Sequence, residues 1–434
     1  MSIPTLQGLQ TALSGLLAEQ QAIDVTGHNI TNANTEGYSR QRAVLQTNEP
    51  MRIAALSSVT GEGGQLGTGV SVATYTRIRN SYLDAHYRTQ SSALGAAGAQ
   101  AEELQQAQSA FAEPSSTGLA SQISAFWSAW GQLADSPSSE AAKVGVVSAA
   151  TQLTGTLHQV QSQLQSIEGQ VAAQYAALAG PTGEVQGDAV QIAQLNHQIK
   201  LSLQAHQQPN DLEDRRDLLI DKLSTLANVT VTMQADGTDT VTFGNAAKPL
   251  VEGSTVNWPQ ALTPAAGGQL GALLELSSPA GALASYQTAL DEVAATLSTT
   301  VNELHTATPF FKGATAATIE VAVTPAEVQT SSEETPGGND VALAIAGLRG
   351  GGADQRYAAL VAQLGGGVRD AKANQADSQA VLTAVSNQRQ SVSGVSLDEE
   401  MTNLITFQRG YQASARALTV MDTMLDTLIN HTGL

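Results

Sequence analysis

The residues that could carry chemistry in this 434-residue chain are seven histidines, 39 Asp and Glu side chains and one glycine-dense run; it has no cysteine. Without cysteine there can be no thiolate zinc site, iron–sulfur cluster, disulfide framework or Cys nucleophile. The histidines are His28, His86, His158, His197, His206, His305 and His431. None forms an H-E-x-x-H pair or stands one helical turn from another, so the spacing of a zinc hydrolase is missing. His28, between Gly27 and Asn29 near a helix end, reads as a capping or packing side chain. Gly61, Gly63, Gly64, Gly67 and Gly69 fit neither G-x-G-x-x-G nor G-x-x-x-x-G-K-[ST], so they read as a flexible loop. No G-x-S-x-G elbow offers a serine nucleophile. Asp211, Glu213, Asp214, Asp217 and Asp221 crowd one predicted helix with Arg215, Arg216 and Lys222 interleaved. Paired carboxylates can do acid–base work, but cations one turn away make this a solvated, ion-paired helix face. The expectation is a chain with no catalytic, cofactor or metal site.

Charge narrows the partners. The chain has 20 Lys and Arg against 39 Asp and Glu, a net charge of −19. Attraction to nucleic-acid phosphates needs clustered cations, so no nucleic-acid partner is expected. Residues 1–90 hold six acidic and six basic side chains, so the whole excess lies beyond them. The first cation is Arg40. That argues against a Sec-type signal peptide and against a basic membrane-surface helix. No stretch approaches the ~20 apolar residues of a membrane span, and no membrane partner is expected. Only 14% of residues are charged, against about 25% in an ordinary domain. Such a surface is easily desolvated, which suits repeated subunit contacts.

The elements that would position any interface are helical. Leu6, Leu9, Leu13, Leu16, Gln20, Ile23, Gly27 and Ile30 step by threes and fours, predicting a helix over 6–30 that Asn32, Asn34 and Gly37 end. Leu397, Met401, Leu404, Gln408, Tyr411, Ala415, Leu418, Asp422, Leu425 and Ile429 repeat the alternation, widened by Phe407, Met421 and Leu428. Ser396 and Glu399 form a capping-box start. Helices with one narrow stripe are marginal alone, so the two ends are expected to pair as a coiled coil.

Between them, 91–135, 140–179 and 184–206 read as helices, followed by one capped by Asn210 with Leu212, Leu219, Leu223 and Leu226 on one face. Val229, Val231 and Met233, a turn at Asp236-Gly237, then Val241 and Phe243 predict a hairpin. Ile319, Val321 and Val323 form a second strand-like run. Residues 284–305 return to helical spacing, and 340–392 continue it with interruptions at Gly350–Gly352 and Gly365–Gly367. The expected fold is mainly α with a small β domain, in three units. A terminal coiled-coil unit takes 1–60 with 393–434. A helical bundle takes 61–228 with 281–305 and 340–392. A small β-rich outer unit takes 229–280 with 306–339.

Two long motifs carry a resemblance. The first is Ala12-Leu13-Ser14-Gly15-Leu16, then Ala22-Ile23-Asp24-Val25-Thr26-Gly27-His28-Asn29-Ile30, then Asn32-Ala33-Asn34-Thr35-Glu36-Gly37-Tyr38-Ser39-Arg40-Gln41. It closely resembles the N-terminal signature of the bacterial flagellar rod, hook and hook-associated proteins. The second, Ser393 through Met401 and then Leu404-Ile405-Thr406-Phe407-Gln408-Arg409-Gly410-Tyr411-Gln412-Ala413-Ser414-Ala415-Arg416, is similar to that family's other end. Tyr38 to Gln41, Asn210 to Asp217, Gly69 to Arg77, and Asn302 with His305 place the likeness in the hook–filament junction branch.

The resemblance implies a structural, non-enzymatic subunit of the extracellular flagellum, an adaptor at the hook–filament junction. Its partners would be the flagellar hook protein, a second junction protein, copies of itself in an axial helical assembly, and an export chaperone on the C-terminal helix. Export would proceed without a cleaved signal peptide, through the flagellar type III apparatus. Both termini would be disordered in the free subunit. The expected interface residues are Leu13, Leu16, Ile23 and Ile30, with Leu404, Phe407, Tyr411, Leu418 and Leu425. A hook or rod subunit is the alternative within the family, although those have β-dominated middles. A coiled-coil adhesin and a scaffold-borne wall hydrolase are the alternatives outside it. Only about 35 residues separate His305 from Asp340, which argues against an added outer domain.

Overall fold

The computed structural model describes residues 3–53, 64–333, 335 and 337–431. Two long helices, α1 (Ile3–Asn32) and α11 (Leu397–Asp426), open and close the chain. After α1 come strands β1 (Gln41–Thr47), β2 (Met51–Ile53), β3 (Gly64–Leu66) and β4 (Val70–Arg77). Antiparallel pairing of β1 with β4 and of β2 with β3 makes a long ribbon laid back along α1. The sequence reading assigned 61–80 to a helical bundle; alternating Val70, Val72 and Thr74 instead pair with 41–47. Of the glycine run, Gly61 and Gly63 lie outside the described residues. Gly64 begins β3, and Gly69 takes φ +104 beside Ser14, where a side chain would collide.

Five helices follow: α2 (Ser81–Phe111), α3 (Leu119–Asp135), α4 (Glu140–Ala179), α5 (Glu184–Gln204) and α6 (Asn210–Leu226). The expected helix over 91–135 is split. Ala112 turns left-handed at φ 50, and Pro114 has no N–H with which to continue. Glu113 then accepts from Ala120 N at 2.9 Å, a carboxylate at the start of α3 where the helix dipole favours it. Pro209 stands at the N-cap position of α6 and gives no side-chain cap, and Asn210 is the first helical residue. The Asn210 side chain is instead spent on tertiary bonds to Gln41 Oε1 (3.1 Å) and Tyr75 O (3.2 Å).

The expected hairpin forms: β5 (Val229–Met233) pairs with β6 (Asp239–Phe243), with Val231 opposite Val241. Short strands β7 (Val251–Glu252) and β8 (Thr255–Val256) extend it to four strands. Asn196 pins this sheet to α5, donating to the carbonyls of Asp239 and Gly253 and accepting from Asp239 N and Arg216. Then come α7 (Gly268–Leu276), α8 (Ala282–Leu304), the pair β9 (Phe311–Lys312) and β10 (Glu320–Val321), α9 (Asp340–Ala346) and α10 (Gly352–Ser393).

Residues 306–339 were grouped with the hairpin sheet on sequence, but their strands pair only with each other. Asn302 fixes them by mimicking a strand partner: it accepts from Phe311 N at 2.9 Å and donates to Phe311 O at 2.8 Å. His305, one turn on, bonds Thr308 O and accepts from Gln329 N. Phe310, Phe311 and Ile319 thereby enter a cluster with Phe126, Trp127, Trp130, Leu153 and Leu290. A second cluster, with Val185, Ile192, Ile220, Leu223, Phe243 and Val251, lies under the four-stranded sheet. Each large side chain so buried stabilises by about 1.5–3 kcal/mol before entropy.

Gly350–Gly352 does separate α9 from α10, but Gly365–Gly367 runs through α10 unbroken. Gly95 and Gly365 give opposite expectations for the same change. A Cβ at Gly95 would stand 2.1 Å from Thr225 O on α6, whereas one at Gly365 meets nothing within 4 Å. Gly95→Ala should destabilise by about 1–3 kcal/mol, and Gly365→Ala should stabilise by about 0.5–1 kcal/mol. Calorimetric melting should therefore shift in opposite directions; a matched shift would contradict the close α2–α6 approach.

Candidate assembly interface

The terminal helices lie against each other, antiparallel, in a steady register. Gly8 faces Met421, Gly15 faces Ser414, Glu19 faces Gly410, and Asn29 meets Glu400. From Gly8 to Asn29 this spans roughly 32 Å at ~1.5 Å per residue. The line of contact is made of small residues. A Cβ would come within 3.0 Å of Met421 at Gly8, 3.2 Å of Ser414 at Gly15 and 2.6 Å of Glu19 at Gly410. Ala18 and Ala22 are buried on the same side of α1. Close backbone approach replaces the leucine interdigitation that the heptad spacing implied.

The residues expected to form the interface are not fully buried in this chain. Leu16, Ile23, Ile30, Leu404, Phe407, Tyr411, Leu418 and Leu425 are half-buried, and Leu13 is 43% exposed. Phe407 lines a pocket with Ala22, Thr26 and Leu45. Leu17, Met401, Ile405, Val420 and Met424 stand in the open beside them. The sole residue of α11 buried in this chain is Glu400, a charged one. Within this chain α11 thus buries none of its apolar side chains fully and leaves them half-buried or exposed.

Polar groups anchor the upper end of the pair. Asn29 uses all of its bonding capacity: it accepts from Gln41 N and Tyr38 Oη, and donates to Gln41 O and Glu400. Arg40 grips the start of α11 through Glu399 and Glu400, each at 2.7 Å. Ser396 accepts from Glu399 N at 3.5 Å, but the Glu399 side chain turns to Arg40, so the reciprocal half of the capping box is missing. His28 packs edge-on to Tyr38 and faces Asp211 at 3.7 Å. Among the described residues no group of His, Asp and Glu could hold a metal ion.

Below this anchor lies the acidic helix α6; Asp211 is exposed, but Glu213, Asp214, Asp217 and Asp221 are largely withdrawn from water and paired with cations of other elements. Arg77 reaches Asp214 (2.9 Å), Asp217 (2.8 Å) and Glu213 (2.8 Å). Arg79 bridges Asp217 (2.7 Å) and Asp84 (2.8 Å). Arg88 holds Asp221 at 2.7 Å and Asp217 at 3.2 Å. Arg389, near the end of α10, ties Asp84 (2.8 Å) to Asp221 (2.7 Å) and lies over the Tyr87 ring. Ser39 N donates to Asp214 as well. Four elements distant in sequence are thus fastened at one joint beneath the terminal pair. Burial would raise the Asp217 carboxyl, but Arg79, Arg77 and Arg88 outweigh it and hold it at about 2. Burial raises the Tyr38 phenol, reinforced by Asp211, Asp214 and Glu400, so it stays protonated. Burial also raises Glu19, which faces Gly410 in the seam.

Comparison with known proteins places the chain among flagellar proteins. Residues 104–265 match the family model of the flagellar hook-associated protein FlgK helical domain. Residues 386–431 match the flagellar basal body rod FlgEFG protein C-terminal model, and 9–38 match the flagella basal body rod protein model. Flagellar hook-associated protein 1 of Bacillus subtilis is 27% identical, covering 99% of both chains. Its Escherichia coli namesake is 26% identical over 97% of this chain and 99% of the relative. A solved structure, that of the flagellar hook junction protein FlgK from Burkholderia pseudomallei, aligns with a TM-score of 0.45 at 26% identity. It covers 52% of this chain and 44% of that one.

The joint has an acid signature. Asp217 is depressed to about 2 from the ~3.9 of an unfolded chain. Its contribution, on the order of 2 kcal/mol, is fully present above about pH 4 and is lost as pH falls toward 2. Asp217→Asn should cost about 3–5 kcal/mol at neutral pH by stranding buried guanidinium groups. It should also flatten the loss of stability between pH 4 and 2. Denaturant unfolding at pH 7 and pH 3 measures both; an unchanged pH slope in the variant would rule out Asp217 as the source.

Proposed function

We propose, from the likeness to flagellar hook-associated protein 1 along nearly the whole chain, that it is the adaptor subunit at the hook–filament junction. One face of its assembly matches the flagellar hook protein and the other receives the second junction protein beneath the filament. It is a structural part of the bacterial flagellum and not an enzyme. The observation that carries this reading is the terminal pair: two helices about 45 Å long, touching through small residues and leaving their larger apolar side chains half open. Such a pair is incomplete as a monomer and completed by neighbours.

In this reading α1 and α11 supercoil as the innermost layer of a tube, with the β1–β4 ribbon on their outer side. The helices gathered around Trp127 and Trp130 form the body. The four-stranded sheet, at the far side of α5 and α6, is the outer unit. Leu13, Leu16, Ile23 and Ile30, with Leu404, Phe407, Tyr411, Leu418 and Leu425, contact adjacent subunits. A helix so poorly buried is unfolded before assembly, which lets the chain pass a narrow export channel without a cleaved signal. A dedicated chaperone would cover the α11 stripe until then.

Deleting the gene in its source bacterium should leave hooks without filaments and flagellin in the medium, scored by electron microscopy and immunoblot. Filaments of normal length would overturn the junction role in favour of an adhesin, and loss of hooks would favour a rod or hook subunit. Leu418→Asp should fail to restore filaments while the body keeps its melting transition; restoration would remove Leu418 from the interface.

A further inference from the structure

The exposed side of α11 carries a charge pattern that the chain itself does not use. Arg409 and Arg416 are exposed, and neither guanidinium has a carboxylate at ion-pair distance among the described residues. They stand two turns apart on one stripe. Asp422 and Asp426 are exposed one turn apart on another. Among the described residues Asp426 accepts from Asn430 alone, at 2.6 Å. At ~100° per residue the α1-facing seam of Gly410, Ser414 and Met421, the arginine stripe and the aspartate stripe lie roughly 120° apart around the helix. The cationic and anionic stripes thus flank the seam on opposite sides.

That arrangement suits a heterologous contact, in which one side of a subunit meets the other side of the next. It does not suit a two-fold contact, which would set arginine against arginine. Building on the assembly role above, we propose that α11 helices of adjacent copies pair side by side. Arg409 and Arg416 of one copy then meet Asp422 and Asp426 of its neighbour. The midpoints of the two stripes are about 11 residues apart, so neighbours would be offset along the axis by roughly 17 Å.

Other acceptors fit less well. Asp398 falls on the arginine stripe itself, Glu399 and Glu400 are held by Arg40, and Glu19 faces the seam. Exposed ion pairs add little affinity. Here they act on register and partner choice, because like charges facing each other across a contact are strongly disfavoured. The apolar neighbours Ile405, Val420 and Met424, all exposed, supply contact area beside them.

The test uses full-length variants complementing the deletion strain. Arg409→Glu with Arg416→Glu, and separately Asp422→Lys with Asp426→Lys, should each reduce filament-bearing cells by about tenfold or more. Combining all four changes should restore filaments. Co-expressing the two double variants should restore them too, because an all-acidic copy can alternate with an all-basic one. Circular dichroism of each purified variant checks that the body has folded. Normal filaments from either double variant would overturn the pairing, as would failure of the four-fold exchange in a folded protein. Failure of the wild-type gene to restore filaments would instead overturn the junction role on which the pairing rests.

Discussion

A carboxylate largely withdrawn from water stays charged only if cations surround it, and Asp217 has three. Arg77, Arg79 and Arg88 converge on it from β4, the turn after β4, and α2. Arg389 closes the circuit from α10 through Asp84 and Asp221. Since Ser39 and Arg40 adjoin the same joint, the direction in which the terminal pair leaves the body depends on it. Removing one partner leaves the others buried and unpaired, so the network locks as a unit.

The two ends of this joint follow different physics. The body buries indoles and phenyl rings in one large cluster. The terminal pair buries two alanines, Ala18 and Ala22, and the polar Gln7, Thr26, Asn29 and Glu400. Its contact is close but small, and its larger apolar side chains stay half open. Strength in the body and incompleteness in the rod suit a subunit that must be finished by its neighbours, where a more fully buried rod would have no reason to assemble.

Much of this was legible in the chain order. The alternation of Val229, Val231, Val241 and Phe243 around Asp236-Gly237 pointed to the hairpin, and threes and fours to both terminal helices. The flagellar motifs gave the likeness. Less legible were the contacts. Apolar spacing drew attention to Leu13 and Leu16, while the helices meet at Gly8, Gly15 and Gly410, which carry no hydrophobic signal. The one available clue was glycine recurring inside a helical pattern, which asks for a close-packing reason.

Composition, periodicity and local turn chemistry are properties of neighbouring residues, so the terminal helices, the hairpin and the flagellar likeness could be read from the chain alone. It could not determine which charges pair. On sequence Asp217 has cations one turn away on its own helix; in the fold those point elsewhere, and guanidinium groups about 130–140 residues upstream take their place. Likewise Asn210 looked like a cap and became a tertiary donor, and 306–339 looked like part of the hairpin sheet until Asn302 and His305 drew it into the larger core. Burial settles each case: a side chain takes the local or the distant partner according to which one is desolvated with it, and that depends on how distant segments pack.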